Sequence, residues 1–261
     1  MKIIFSRKGW DSGAGGKPSP IFSNNGFSIP IPDVPPNPIL YRHLTSSALS
    51  ITPYPNLASF LGVYAPNFPV ATNRAHLDPD LDHSTLARIS GWLPCFGQEN
   101  GAATHLDSNC VGVDDIFVFY GWFDDVNMAT GWRLHNDRYC VFGYLQIGKI
   151  YRVPSRVTTP SWLHYHPHIT NGTAYSNNRI YVASQSLTFP ANSGISLPSR
   201  SGGGILNPAN RCRCLTTIFG KRGPYPDLLL SRCTTMTKHR QEHVWQPISP
   251  NDWRFVADLL R

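Results

Sequence analysis

The sequence predicts a loop-rich α+β fold, a central and mainly antiparallel β-sheet or partly closed barrel with a few short helices and one at the C-terminus. Three observations carry this. The chain has 23 prolines and 21 glycines in 261 residues but only 15% charged residues, a balance that favours turns over long solvated helices. "DDIFVFYGWF" (Asp114 to Phe123) and "RYCVFGYLQIGKIYRV" (Arg138 to Val153) are dense in aromatic and β-branched residues, as strands are. "SPNDWRFVADLL" offers Ser249 as an N-cap, Pro250 at the first helical position and Trp253, Val256 and Leu260 on one stripe, which is a helix start with an apolar face.

The elements follow in order. Residues 2 to 6 form a first strand that empties into a glycine-rich loop. A short strand is expected near Phe27 to Ile31, ahead of "PIPDVPPNPILY", whose prolines remove backbone donors and impose extended or turn conformations. "NLASFLGVY" (Asn56 to Tyr64) and "DLDHSTLARIS" (Asp80 to Ser90) are the first expected helices, the second opening after Pro79. The two long runs in the middle, apolar on both faces, pair antiparallel in the centre of the sheet. "RIYVASQSLTF" (Arg179 to Phe189) adds a strand. No repeat and no linker interrupts the chain, so residues 1 to 261 are expected to form one domain.

The formal charge of +7 favours anionic partners through the long-range field, yet the cations are scattered and no basic tail marks a nucleic-acid arm. The apolar start of "MKIIFSRKGW" is shorter than a secretory signal, and no apolar run approaches membrane-spanning length. A cytoplasmic protein with reduced thiols is the expectation for Cys95, Cys110, Cys140, Cys212, Cys214 and Cys233.

Five constellations could carry chemistry. In "FSRKGWDSGAGG", Asp11 occupies the first glycine position of a Walker A loop and Pro18 its hydroxyl position, and GxGxxG also fails. What remains is a loop whose amides could converge on an anion beside Arg7 and Lys8, with Ser6, Asp11, Ser12, Gly15 and Gly16 around it; the competing reading is an ordinary glycine turn. "RAHLDPDLDH" sets His76, Asp78 and Asp80 close together for acid/base work or a metal, while Asp78-Pro79 would equally well cap a helix. "FGQENGAATH" places Gln98, able to read a base edge or a ribose, shortly before His105. In "WLHYHPHITN", His164, His166 and His168 would face one side of an extended segment, a geometry that suits zinc, although an aromatic loop rim explains the pattern as simply and no metal ligand is assigned. Finally, "RCRC" with Cys233 and His239 lacks the usual zinc spacing, and Arg240 near Glu242 is either a structural ion pair or a substrate clamp.

Taken in order, "IIFSRKGWDSGAGGKPSPI", "SIPIPD", "HLDPDL", "FGQENGAATHL", "DDIFVFYGWF", "FGYLQIGKI", "HPH", "RIYVAS" and "RQEHV" resemble the nucleotide modification associated domain, third family, across almost the whole chain. The resemblance implies placement among phage and bacterial systems that modify DNA bases, and a nucleotide or DNA as partner. It also implies that the clusters at Ser6 to Gly16, His76 to Asp80, Gln98 to His105 and Arg240 to Glu242 converge on one site. The family's tail motif resembles Arg-Gly-Gln-Glu-Phe, where this chain has Arg240 followed by Gln241-Glu242-His243.

The expected function is modification of a nucleotide or a DNA base, by group transfer or hydrolysis. Arg7, Lys8 and the loop would hold phosphate, Gln98 would read base or sugar, and His76 with Asp78 or Asp80, and Glu242, would serve catalysis; the cofactor is unassigned. The alternatives are a PUA-like barrel that binds a modified base without chemistry, its wall formed by "FGYLQIGKI", and ADP-ribosyl transfer from NAD, for which only "LYRHLTSSALS" speaks through Tyr41, Arg42 and His43.

Overall fold

The structure is a computed structural model that describes residues 1–11, 13–136, 138–153, 159–171, 177–196, 198–210, 233–235 and 242–261, without side chains at 210 and 233–235. Twelve strands are described, β1 (Ile3–Arg7), β2 (Ser19–Phe22), β3 (Asn25–Gly26), β4 (Ile31–Asp33), β5 (Arg74–His76), β6 (Cys95–Glu99), β7 (Ile116–Asp125), β8 (Arg138–Val153), β9 (Asn178–Ala183), β10 (Gly203–Ile205), β11 (Cys233–Thr235) and β12 (Glu242–Trp245). The α-helices among the described residues are α1 (Leu57–Tyr64), α2 (Asn100–Ser108), α3 (Pro167–Thr170) and α4 (Pro250–Leu260).

The main sheet runs β11-β12-β1-β7-β8-β9-β6, with β2 and β10 joining β7 and β8 off this path. β1 and β2 lie parallel to β7, and the other pairings are antiparallel. β8 is long enough to serve two partners. Its first part pairs with β7, and after a register shift between Ile147 and Lys149 its second part pairs with β9. Gly148 sits at that shift, where a Cβ would come within 2.6 Å of the Ser184 backbone; the bulge re-aims the strand and curls the sheet into a half-barrel.

Strand alternation explains why both long runs are apolar on both faces. Ile4, Phe117, Phe119, Leu145, Phe96 and Tyr181 meet on one face. Ile3, Phe5, Ile116, Val118 and Tyr144 meet on the other, where α4 lays down Trp253, Val256 and Leu260. α4 begins as its sequence predicts, with Asp252 N–H donating to Ser249 Oγ at 3.2 Å and Ser249 N–H to Asp252 Oδ2 at 2.9 Å. α1 packs Phe60, Leu61 and Tyr64 against Trp10, Phe22 and Tyr41 in a third cluster.

Three expectations are corrected. The segment from Asp80 to Ser90 is not a helix but holds only a 3-10 turn at His83–Thr85. Asp80 is drawn into an extended bridge, its N–H donating to Cys95 O and its carbonyl accepting from Cys95 N–H, both at 2.9 Å. The strand expected at Phe27 to Ile31 does not form there: β3 ends at Gly26 and β4 begins only at Ile31. Cys140 is disulfide-bonded rather than reduced, while Cys95 and Cys110 are free. Among the described residues, no helix is long and apolar enough to cross a membrane.

Candidate functional site

Alternation along β1 sends Ser6 and Lys8 to the face opposite Arg7. Ser6 stands across from Glu242 of β12, and its hydroxyl donates to Glu242 Oε1 at 2.8 Å. The same oxygen accepts from Lys8 Nζ at 3.1 Å and from the Gln98 side-chain amide. Glu242 is fully buried, and its second oxygen, Oε2, has no hydrogen-bond partner. A buried carboxylate needs such donors; here they come from Ser6, Lys8 and Gln98, which lie 236, 234 and 144 positions from Glu242 in the chain and are brought to it by the sheet. Lys8 also lies 4.8 Å from the centre of the Phe96 ring.

β6 repeats the alternation. Phe96 and Gln98 share the face of Lys8, whereas Gly97 and Glu99 turn toward α3. A Cβ on Gly97 would lie 2.2 Å from the His168 ring, so glycine there lets the imidazole lie flat on the strand. His166 caps α3 and His168 opens its first turn, and both are buried. Their Nε2 atoms stand 3.4 and 3.5 Å from the two oxygens of Asp78. Gly97 N–H donates to Asp78 Oδ1 at 2.7 Å, and His76 Nε2 lies 3.9 Å from Asp78 Oδ2. His76 Nδ1 faces Asp33 Oδ2 at 3.1 Å.

Burial alone would raise the Asp78 pKa, but the His166 and His168 imidazoles beside its two oxygens hold it far below the usual carboxylate range. Desolvation pushes His166 down. It opposes protonation of His168 as well, where Asp78 prevails and the pKa is raised. Desolvation raises Glu99, against the pull of His168 and His76. A cleft of about 350 Å³ opens over these groups, lined by Lys8, Gln98, His76, Asp78, Glu99 and His168 among others. Its walls thus pair an amide and a cation on one side with a carboxylate–imidazole cluster on the other. His76, Asp78 and His168 each offer one ligand atom, all within 4.8 Å of one another.

Of the residues singled out from the sequence, Ser6, Lys8, His76, Asp78, Gln98 and Glu242 come together around this cleft. His105 lies on α2, close enough for Glu242 to influence its charge; burial lowers its pKa, and its Nε2 has no hydrogen-bond partner. Arg7 lies elsewhere, pairing with Asp11 at 3.2 Å and stacking over Tyr139. The glycine loop turns inward on Asp11, whose Oδ1 accepts from Gly13 and Ala14 N–H at 2.7 and 2.9 Å, while Gly16 N–H donates to Asp11 O at 2.8 Å. Gly15 packs against the Trp10 ring. Asp80 takes a bidentate ion pair from Arg88 at 2.6 and 2.7 Å and accepts from Tyr165 Oη. No helix begins at Asp78-Pro79. His164 is held apart, its Nε2 3.3 Å from Thr159 O, and Tyr41 is buried with its hydroxyl on Pro30 O. Ser12, Arg240, Cys212, Cys214 and His239 lie outside the described residues.

Sequence reasoning did not single out Asp33, Glu99 or Asn178, and it kept His166 and His168 apart from His76. The period of β6 places Glu99 one step from Gln98 and so on the opposite face, which is a readable signal. The meeting of His76 with His168 is not readable from spacing.

The model of the family described as nucleotide modification associated domain 3 matches residues 2–258, nearly the whole chain. No curated protein and no solved structure matches.

Proposed function

We propose, from the premise that the chain belongs to the nucleotide modification associated domain 3 family, that the cleft binds a nucleotide, free or within DNA, and modifies it. The observation that supports this reading is the meeting of two kinds of chemistry in one cleft. Lys8 and Gln98, both anchored on Glu242, present a cation to a phosphate and an amide to a base or sugar. Opposite them, His76 and Asp78 stand where a proton can be taken from or given to a bound group. Glu242, with no route to solvent, positions Lys8 and Gln98.

Arg7 and the glycine loop drop out of the phosphate role in this reading, because the loop's amides already serve Asp11. The reaction belongs to group transfer or hydrolysis on a phosphate-bearing substrate. The test is mass spectrometry of nucleotides and short DNA incubated with wild type and with His76→Ala. A new product formed by wild type and lost in the variant supports the reading. Thermal stabilisation by nucleotide that survives His76→Ala, with no product from either protein, would replace catalysis by binding alone.

A further inference from the structure

We infer that His76 Nε2, Asp78 Oδ2 and His168 Nε2 form a binding site for one divalent transition-metal ion, open on the side of the cleft. The first support is how the outer nitrogens are held. His76 Nδ1 faces Asp33 Oδ2 at 3.1 Å, and that oxygen also accepts from Asn37 Nδ2 at 2.7 Å. A carboxylate accepting on that side places a proton on His76 Nδ1 and turns Nε2 toward Asp78. His168 Nδ1 faces Asn178 Oδ1 at 2.8 Å, and the amide cannot be reversed without losing its other bond, from Asn178 Nδ2 to His168 O at 2.8 Å. Nδ1 is therefore the donor here too. Tying back one imidazole N–H to a carboxylate or amide oxygen is how proteins present the other nitrogen to a metal.

The second support is the carboxylate between them. Asp78 Oδ1 is occupied by the Gly97 N–H and faces His166 Nε2, which leaves Oδ2 toward both His76 and His168. Three potential ligand atoms within 4.8 Å of one another lie close enough to share one cation. The third support is Gly97, whose missing side chain is what allows the His168 ring to reach the site. Two imidazoles and one carboxylate suit zinc, iron(II), cobalt(II) or manganese(II) better than the all-oxygen shells of calcium or magnesium. Three protein ligands beside a cleft leave room for water or a substrate oxygen.

This deepens the nucleotide reading and rests on it only for what the ion would do, which is to polarise a substrate oxygen or a water in place of direct proton transfer by His76 and Asp78. Loading is measured without nucleotide, so the two can fail separately. Full-length protein stripped with a chelator is titrated with cobalt(II), followed by calorimetry and visible absorption, and then with zinc(II) as competitor. The expected result is uptake of one equivalent with a visible ligand-field band that zinc displaces. His76→Ala and His168→Ala abolish the band, and Asp33→Asn weakens cobalt affinity by about 10- to 100-fold as supporting partners do. Should His168→Ala fail to fold by circular dichroism, the partly exposed His76 and Asp33 carry the test. No uptake by wild type, or uptake unchanged in His76→Ala and Asp33→Asn, overturns the inference; an intact nucleotide activity alongside either result would leave the function standing without the ion.

Discussion

Single residues here owe their roles to which side of a strand they fall on. Ser6 and Lys8 reach Glu242, whereas Arg7, between them, reaches Asp11 on the far face. The alternation of a strand already separates Arg7 from Lys8 in the sequence, and applying it to residues 3 to 8 would have split the cationic pair. Asp80 shows the opposite limit. Its carboxylate, grouped by proximity with His76 and Asp78, is fully buried on Arg88, whose side chain is only 4% exposed. Removing one partner of such a pair leaves an unpaired buried charge, so Arg88→Ala is expected to destabilise the protein by about 3–5 kcal/mol, read from urea unfolding, while nucleotide binding per folded molecule stays the same. The signal that would have marked Arg88 as the partner was absent, because an i,i+8 spacing in an irregular segment fixes no geometry.

Elements set the precision of the site. β6 carries Gln98 to one wall and Gly97 to the other, so a methyl group at residue 97 is felt by the His168 ring rather than by the core. Gly97→Ala is expected to displace His168 and reduce product formation at least tenfold, with thermal unfolding changed far less than in Arg88→Ala; activity assays beside melting curves check this. α2 yields a pH dependence. Burial lowers the His105 pKa below its ordinary 6.5, so between those two values the unfolded chain binds a proton that the folded chain does not. Stability conferred at neutral pH is therefore lost as pH falls from about 6.5 toward the folded value, and the loss should be smaller in His105→Gln when unfolding is followed across that window. α4 was legible in full, and Ser249→Ala should cost about 1 kcal/mol through the lost cap, read from the same urea titration. The Asp80 to Ser90 segment was not legible as non-helical, because Asp80 at its start is held in an extended bridge by Cys95, which lies beyond the segment.

At the scale of the whole molecule, the sheet joins the ends of the chain. β1 lies between β7 and β12, so residues 242–245 complete the pairing of residues 3–6. That arrangement leads us to propose that the chain unfolds as one unit, with far-UV circular dichroism and tryptophan fluorescence tracing coincident urea transitions; two separated transitions would reject a single domain. The fold class was legible because aromatic, two-faced strands announce a central sheet. The site was legible only in parts, since its halves at residues 76–78 and 166–168 meet through long-range packing that no local pattern encodes. Family resemblance grouped several of those segments, strand alternation splits Lys8 from Arg7, and the three-dimensional structure is what separates Asp78 from Asp80.

The central claim is that the nucleotide phosphate is met in the cleft by Lys8 and not at the glycine loop by Arg7. Equilibrium binding of a panel of nucleoside mono-, di- and triphosphates to wild type, Lys8→Gln and Arg7→Gln tests it most directly. The account predicts that Lys8→Gln weakens the tightest nucleotide at least tenfold while Arg7→Gln binds as wild type does. Loss of affinity in Arg7→Gln with Lys8→Gln unaffected would contradict it and return the phosphate to the loop.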